Sequence, residues 1–271
     1  MRNGIFCTRA LCILAMCATQ MVIGSLARAN EHGSTRTLWS NGGADTQRVV
    51  SFSGFDVSED AHSFYSGTLI ALNGDFSRDG LIFRAIGVSS DYEYREVSVP
   101  GGKVDGDDRA IDVMLGYQKT IGVITATAYV GFEYRDIELS PADPANDIQG
   151  DEAGFKVALD AQTSDEIPLF LSFSGAYSTA FDSYYALGRL GYNMTRVVVG
   201  AEGLLGGIDG EEYQRLGGFI TYRFNLTPQM PAELTANVGH QFIDDEGDPD
   251  GFNVTTGGEG TYGGVSFSFA F

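Results

Sequence analysis

The chain closes on "GTYGGVSFSFAF", residues 260–271. Val265, Phe267, Phe269 and Phe271 fall on one phase, and Ser266, Ser268 and Ala270 on the other. Strict alternation of this kind makes a strand with two unlike faces. In a soluble sheet the aromatic row needs a core to cover it, whereas in a membrane lipid covers it. The segments upstream decide between the two.

Stretches of about ten residues recur along the chain, the length a tilted strand needs to cross a bilayer. Strands are predicted at 48–57, 62–73, 80–92, 108–119, 122–134, 153–163, 167–179, 182–193, 196–205, 213–224, 232–243 and 260–271. In the fourth, Ile111, Val113, Leu115 and Tyr117 oppose Ala110, Asp112, Met114, Gly116 and Gln118. In the sixth, Phe155, Val157, Leu159 and Ala161 oppose Lys156, Ala158, Asp160 and Gln162. The tenth sets Leu216, Gly218, Ile220, Tyr222 and Phe224 against Arg215, Gly217, Thr221 and Arg223, with Phe219 as an exception. The polar phases are dominated by Gly, Ala and Ser, with single charges at Asp112, Glu133, Lys156, Arg189, Glu202 and Arg215. A sandwich would expose faces rich in Lys, Glu and Thr. Small residues with a few pairable charges suit a confined lumen, and an apolar face edged with aromatics suits lipid. Only a closed barrel satisfies every strand hydrogen bond inside hydrocarbon. The expected fold is all-β: a transmembrane, antiparallel, up-and-down barrel of about twelve strands.

The connections alternate in kind. One set is short: "NGDFSRDG", "TIG", "SDEIP", "NMT" and "NLTPQMP". The other is acidic and mostly longer: "REVSVPGGKVDGD", "RDIELSPADPANDIQGDE", "GGIDGEE" and "DDEGDPDGFN", with the brief "SEDA" and "STAFD" in the same set. Outer-membrane barrels have short periplasmic turns and long extracellular loops. An even strand count puts the acidic set outside and both termini in the periplasm. At the N-terminus, Arg2 and Arg9 precede an uncharged apolar stretch from Ala10 to Leu26, and Ala27-Arg28-Ala29 has the form of a cleavage site. That is a secretory signal peptide. The expected organisation is a leader peptide at 1–29, a polar periplasmic segment at 30–47 and a barrel at 48–271, exported to the bacterial outer membrane. The alternating "VSFSFAF" close, with Val265, Phe267, Phe269 and Phe271 on one face, is expected to be the signal read by the barrel assembly machinery. Other expected contacts are outer-membrane lipid and lipopolysaccharide.

All three cysteines (Cys7, Cys12, Cys17) lie in the leader, so disulfides and thiolate metal sites are excluded from the exported part. With 36 acidic against 17 basic residues and a net charge of −19, the chain will not bind nucleic-acid phosphates. The exported part holds no apolar run near the roughly 18 residues a spanning helix requires. Of the three histidines, His32, His62 and His240, only His62 has a serine beside it, and adjacent strand residues point to opposite faces. His240 reads as an interfacial residue. "EGDPDG" (246–251) resembles a calcium loop, but Gly257 stands where the bidentate Glu is required. Asp143, Asp147, Asp151 and Glu152 are too ordinary among so many acidic loop residues to mark a glycosidase pair. No catalytic residues, cofactor or metal are expected. Arg189 and Glu202 fall on neighbouring strands on the inward phase, where a pair would stiffen the wall or help line an aqueous path. The polar segment with Trp39 is another possible filling for the lumen.

Several stretches resemble the BcsS family of bacterial cellulose-biosynthesis accessory proteins. They are "ALNGDFSRDG" (71–80), "VPGGKVDGD" (99–107), "MLGYQK" (114–119), "LSPADPAND" (139–147) with "GDEAGFK" (150–156), and "SYYALGRLGY" (183–192). The resemblance implies a non-enzymatic outer-membrane role in cellulose biosynthesis or secretion, with cellulose or other cellulose-secretion proteins as partners. Two readings stay open on the residues: a conduit or scaffold for cellulose secretion, and a general porin-like or structural barrel, since a fold does not fix a function.

Overall fold

The computed structural model describes residues 47–96, 99–144, 146–243 and 260–271. Twelve strands follow in order: β1 Val49–Val57, β2 Ala61–Ala71, β3 Gly80–Tyr94, β4 Val104–Ile121, β5 Ile124–Ser140, β6 Gly150–Thr163, β7 Leu169–Ser178, β8 Ser183–Met194, β9 Val197–Ile208, β10 Glu211–Thr227, β11 Met230–Ile243 and β12 Gly260–Ala270. Each pairs antiparallel with the next, and β12 pairs with β1 to close an up-and-down barrel. The fold expectation holds, including the strand count. Both chain ends of the barrel lie at one rim, together with the short connections. Leader residues 1–29, the segment 30–46 with His32 and Trp39, and the acidic stretch 246–251 lie outside the described residues.

The alternation sorts side chains between two environments. Along β4, Ile111, Val113, Leu115 and Tyr117 are about half exposed on the outside, whereas Asp112, Met114 and Gln118 are buried within. The outward apolar run on this strand is bounded by Arg109 above and Lys119 below. Ten residues at about 3.3 Å each, tilted by about 40°, give a height of about 25 Å, the thickness of the apolar band on barrels of the outer membrane. Neighbouring strands respect the same limits. Arg109 is paired in register with Asp136, and Asp136 with Asp151. Below, Lys119 meets Asp79 at 2.8 Å in the β2–β3 turn. The hydrogen bond from Lys119, with a second from the Thr120 N–H, holds the Asp79 carboxyl below its usual range.

At the outer ends of β3–β6 the four strand limits all move outward. β4 begins at Val104 rather than 108, β5 runs on to Ser140 rather than 134, β3 reaches Tyr94 and β6 starts at Gly150. These ends rise above the apolar band, where the outward positions Asp91, Glu93, Asp105, Asp107 and Glu138 are charged. The hydrophobic period therefore fades although the ladder continues.

Candidate functional site

The sequence places its candidate residues on two surfaces, the lumen and the lipid-facing wall. Asp112, Glu133, Lys156, Glu202 and Arg215 are buried in the interior, and the Arg189 side chain is nearly so. The structure brings them into groups. Lys156 Nζ on β6 donates to Asp112 Oδ2 on β4 at 2.8 Å and to Glu133 Oε2 on β5. Arg189 on β8 donates Nε to Glu202 Oε2 on β9 at 2.9 Å, and its Nη2 lies 2.9 Å from the same oxygen. The other Glu202 oxygen accepts from Asn237 Nδ2 (2.8 Å) and the Tyr262 hydroxyl (2.9 Å). Arg215 on β10 reaches Asp56 on β1 at 2.8 Å and donates Nε to Gln241 at 2.7 Å.

Several partners were not singled out from the sequence. Arg84 on β3 lies 3.8 Å from Asp112 and 3.6 Å from Asp160, over the ring of Tyr129. Arg135 pairs with Asp108, and Arg223 with Glu233 (2.8 Å) and Asp165 (3.0 Å). On the inner wall of β3–β6 the charges therefore alternate: Asp108, Arg135, Glu133, Lys156, Asp112, Arg84, Asp160. Each link ties two different strands except Arg135–Glu133, which are both on β5.

The inner face also departs from the small-residue lining expected. Tyr65, Tyr92, Tyr94, Tyr129, Tyr185, Tyr213 and Tyr262 all point inward, with Ile82, Ile86, Met114, Leu187 and Leu204. Glycines make room for these rings. A Cβ on Gly116 would meet the ring of Tyr129, and one on Gly217 the hydroxyl of Tyr262. Phe219 packs on Phe170 at 5.8 Å, under the Arg189 guanidinium. Tyr65 on β2 lies within electrostatic reach of Arg189 on β8, six strands away around the wall. Ion pairs join strands three apart, Arg84 on β3 to Asp160 on β6 and Arg215 on β10 to Asp56 on β1.

Inward-turned side chains lie at both ends as well. At the rim of the long connections Asp143, Asn146, Ile148 and Val99 are buried, and the Tyr94 hydroxyl donates to Asp143 Oδ2 at 2.9 Å. Asn146 Nδ2 donates to that hydroxyl at 3.1 Å. The β7–β8 turn lays the backbone of Ala180 against Gly154. At the opposite rim Phe76 turns inward, its N–H donating to the Gln47 carbonyl (3.1 Å) and its own carbonyl accepting from Gln118 Nε2 (2.8 Å).

The closing strand behaves as a seam. Val265, Phe267, Phe269 and Phe271 lie outside, opposite buried Ser266, Ser268 and Ala270. Their rings follow one another at 5.7 Å (Phe267–Phe269) and 5.8 Å (Phe269–Phe271). Phe271 exchanges backbone bonds of 2.9 Å with Val49, and its carbonyl also accepts from Arg48 N–H at 2.9 Å. The last residue of the chain therefore fastens the barrel shut.

The remaining candidates stay apart. His62 faces outward opposite Asp91, while Ser63 faces inward and bonds Ser90 at 2.8 Å, so they do not form a dyad. His240 is outside, edge-on to Phe242 at 4.7 Å. Asp143 is buried under the rim, whereas Asp147, Asp151 and Glu152 are exposed.

The family described as "Cellulose biosynthesis protein BcsS" matches residues 50–271, the whole barrel. The chain belongs to the BcsS family. This places it in cellulose biosynthesis, and the match spans all twelve strands rather than one motif. No curated protein sequence matches the chain. Among solved structures, the KdgM porin is similar over 82% of this chain and 99% of its own, at 9% identity and a TM-score of 0.44. A Pseudomonas aeruginosa FadL homologue is similar over 84% of this chain and 90% of its own, at 9% identity and 0.39. The beta domain of the Bordetella autotransporter BrkA is similar over 84% and 99%, at 14% identity and 0.39.

Proposed function

We propose that this BcsS-family chain is a non-enzymatic outer-membrane component of cellulose secretion that acts as a scaffold for partners rather than as the conduit for the polymer. The single observation carrying this reading is the filled lumen. Ion pairs bridge strands three apart, tyrosines pack inward between them, and inward-turned side chains lie at both rims. A glucan chain with its water has no route past Arg84, Arg189, Arg215 and their partners unless those buried pairs are broken. Breaking a buried pair leaves an uncompensated charge, at a cost of about 3–5 kcal/mol each.

The apolar band of about 25 Å supports the outer membrane as its location. The rim with the short turns and both barrel ends then faces the periplasm. The raised, acidic ends of β3–β6 face the outside and offer surface for partners. The terminal aromatic row serves recognition by the barrel assembly machinery, and the cleaved leader serves export.

Deleting the gene tests the reading. Surface cellulose should fall or be mislocalised, while glucan synthesis from UDP-glucose by isolated inner membranes should be unchanged. Wild-type surface cellulose, with no second barrel to compensate, would remove the cellulose role.

A further inference from the structure

We propose that the inner wall of β3–β6 binds a file of ordered water molecules and passes protons along it, while the barrel stays closed to solutes. The proposal rests on the filled-lumen reading above. Its starting point is a set of eight side-chain atoms that are out of solvent and without a hydrogen-bond partner among the described residues: Asp112 Oδ1, Glu133 Oε1, Asp160 Oδ2, Arg84 Nε and Nη1, Gln118 Oε1, and both amide atoms of Gln162. They belong to six residues of four adjacent strands. Gln162 is the sharpest case, since its whole amide is buried and unmatched.

Four of them, Arg84 Nε and Nη1 with Asp112 Oδ1 and Asp160 Oδ2, face one another as ion pairs at 3.8 and 3.6 Å. Left dry, the other four would each carry a desolvation penalty of about 1–3 kcal/mol, a sum comparable with the net stability of an ordinary domain. Apolar packing does not relieve that penalty. Internal water does, because a buried water satisfies two to four polar neighbours. Charge points the same way. The alternating row holds four acids against three bases, so it is richer in acceptor oxygens than in donors for water to bond.

The row also has polar neighbours at both ends. Above the Asp108–Arg135 pair lies the hydrogen-bonded group of Tyr94, Asp143 and Asn146 beneath the rim. Below, Gln118 donates to the carbonyls of Phe76 (2.8 Å) and Arg78 (3.2 Å) in the β2–β3 turn. Waters on the unmatched atoms join these groups into one hydrogen-bonded thread from rim to rim. A proton taken up by a carboxylate or water at one end is matched by one released at the other, and no group is changed. Chains of acidic groups crossing a membrane serve as proton relays in this way.

The purified full chain, reconstituted in phospholipid liposomes with an entrapped pH dye and valinomycin to clamp the potential, gives the test. An imposed pH step should collapse several-fold faster than in protein-free liposomes, while entrapped glucose is retained. Gln162→Leu should slow the collapse towards the protein-free rate. Gln118→Leu serves the same purpose should the first variant not assemble. A collapse no faster than in bare liposomes, or an unchanged rate in the assembled variant, would overturn the proton thread alone. Glucose escaping with the protons would overturn both the thread and the filled-lumen reading beneath it.

Discussion

The Arg189–Glu202 pair gives the most exacting test of the interior. Glu202 takes three donors, two oxygens' worth of bonds from Arg189, Asn237 and Tyr262, with its side chain almost wholly out of solvent. Replacing Arg189 with Leu leaves a buried carboxylate still held by an amide and a phenol, so the loss should sit at the lower end of the about 3–5 kcal/mol for a broken buried pair. Glu202→Leu takes the carboxylate away from the buried guanidinium and also removes an acceptor of Asn237 and of Tyr262. Each deserted donor adds about 1–3 kcal/mol, so this variant should lose about 5 kcal/mol or more. The double Leu variant buries no lone charge, and only the two deserted donors remain. It should be more stable than Glu202→Leu by about 3 kcal/mol. Urea unfolding in detergent micelles, followed by the heat-modifiable shift in gel mobility, reads all four corners of the cycle. Additive losses, or a double variant worse than either single, would show that the two groups do not pair and that the lumen is wet and open at their level.

Three further outcomes follow from the same geometry. Cysteine at exposed Asp147 should label on intact cells with an impermeant thiol reagent and cysteine at Glu166 should not; the reverse pattern would invert the barrel. Leu115→Arg, near the middle of the apolar band, should cost about 2–4 kcal/mol in the urea assay, whereas Arg109→Ala at its edge should cost about 0.5 kcal/mol or less; equal effects would refute the band. Deleting Phe271 removes the backbone bonds to Arg48 and Val49 at the seam and should strongly reduce heat-modifiable barrel in the outer membrane, with Ser268→Ala near neutral. Normal assembly of the truncated chain would show that neither the seam nor the aromatic row needs its last residue.

The strand order was legible because lipid enforces one rule along every strand: outward positions such as Val113, Val157 and Ile220 must be apolar. Limits slipped where that rule stops, at the raised ends of β3–β6, since Asp105 and Asp107 continue the ladder without an apolar phase. The charged lumen residues stood out because each has a Gly or Ala two residues away on its own phase. Arg84 did not, for its inward neighbours Ile82 and Ile86 make that phase look apolar. Nor does composition separate inward Tyr129 from outward Tyr134. The signal that could have found the inward rings is a glycine on the next strand at or beside the matching register, as Gly116 faces Tyr129 and Gly239 faces Tyr262. The filling of the lumen followed from contacts between strands that are not neighbours, which no single strand pattern encodes.

Complementation of the deletion strain tests the central claim most directly. Surface cellulose would be measured with two variants, each first checked for heat-modifiable barrel: the lumen double variant Arg189→Leu with Glu202→Leu, and a chain lacking residues 141–149. The scaffold account predicts that the lumen variant restores surface cellulose and the loop deletion does not. Rescue by the loop deletion, with failure of the lumen variant and cellulose held in the periplasm, would contradict it and make the barrel the conduit.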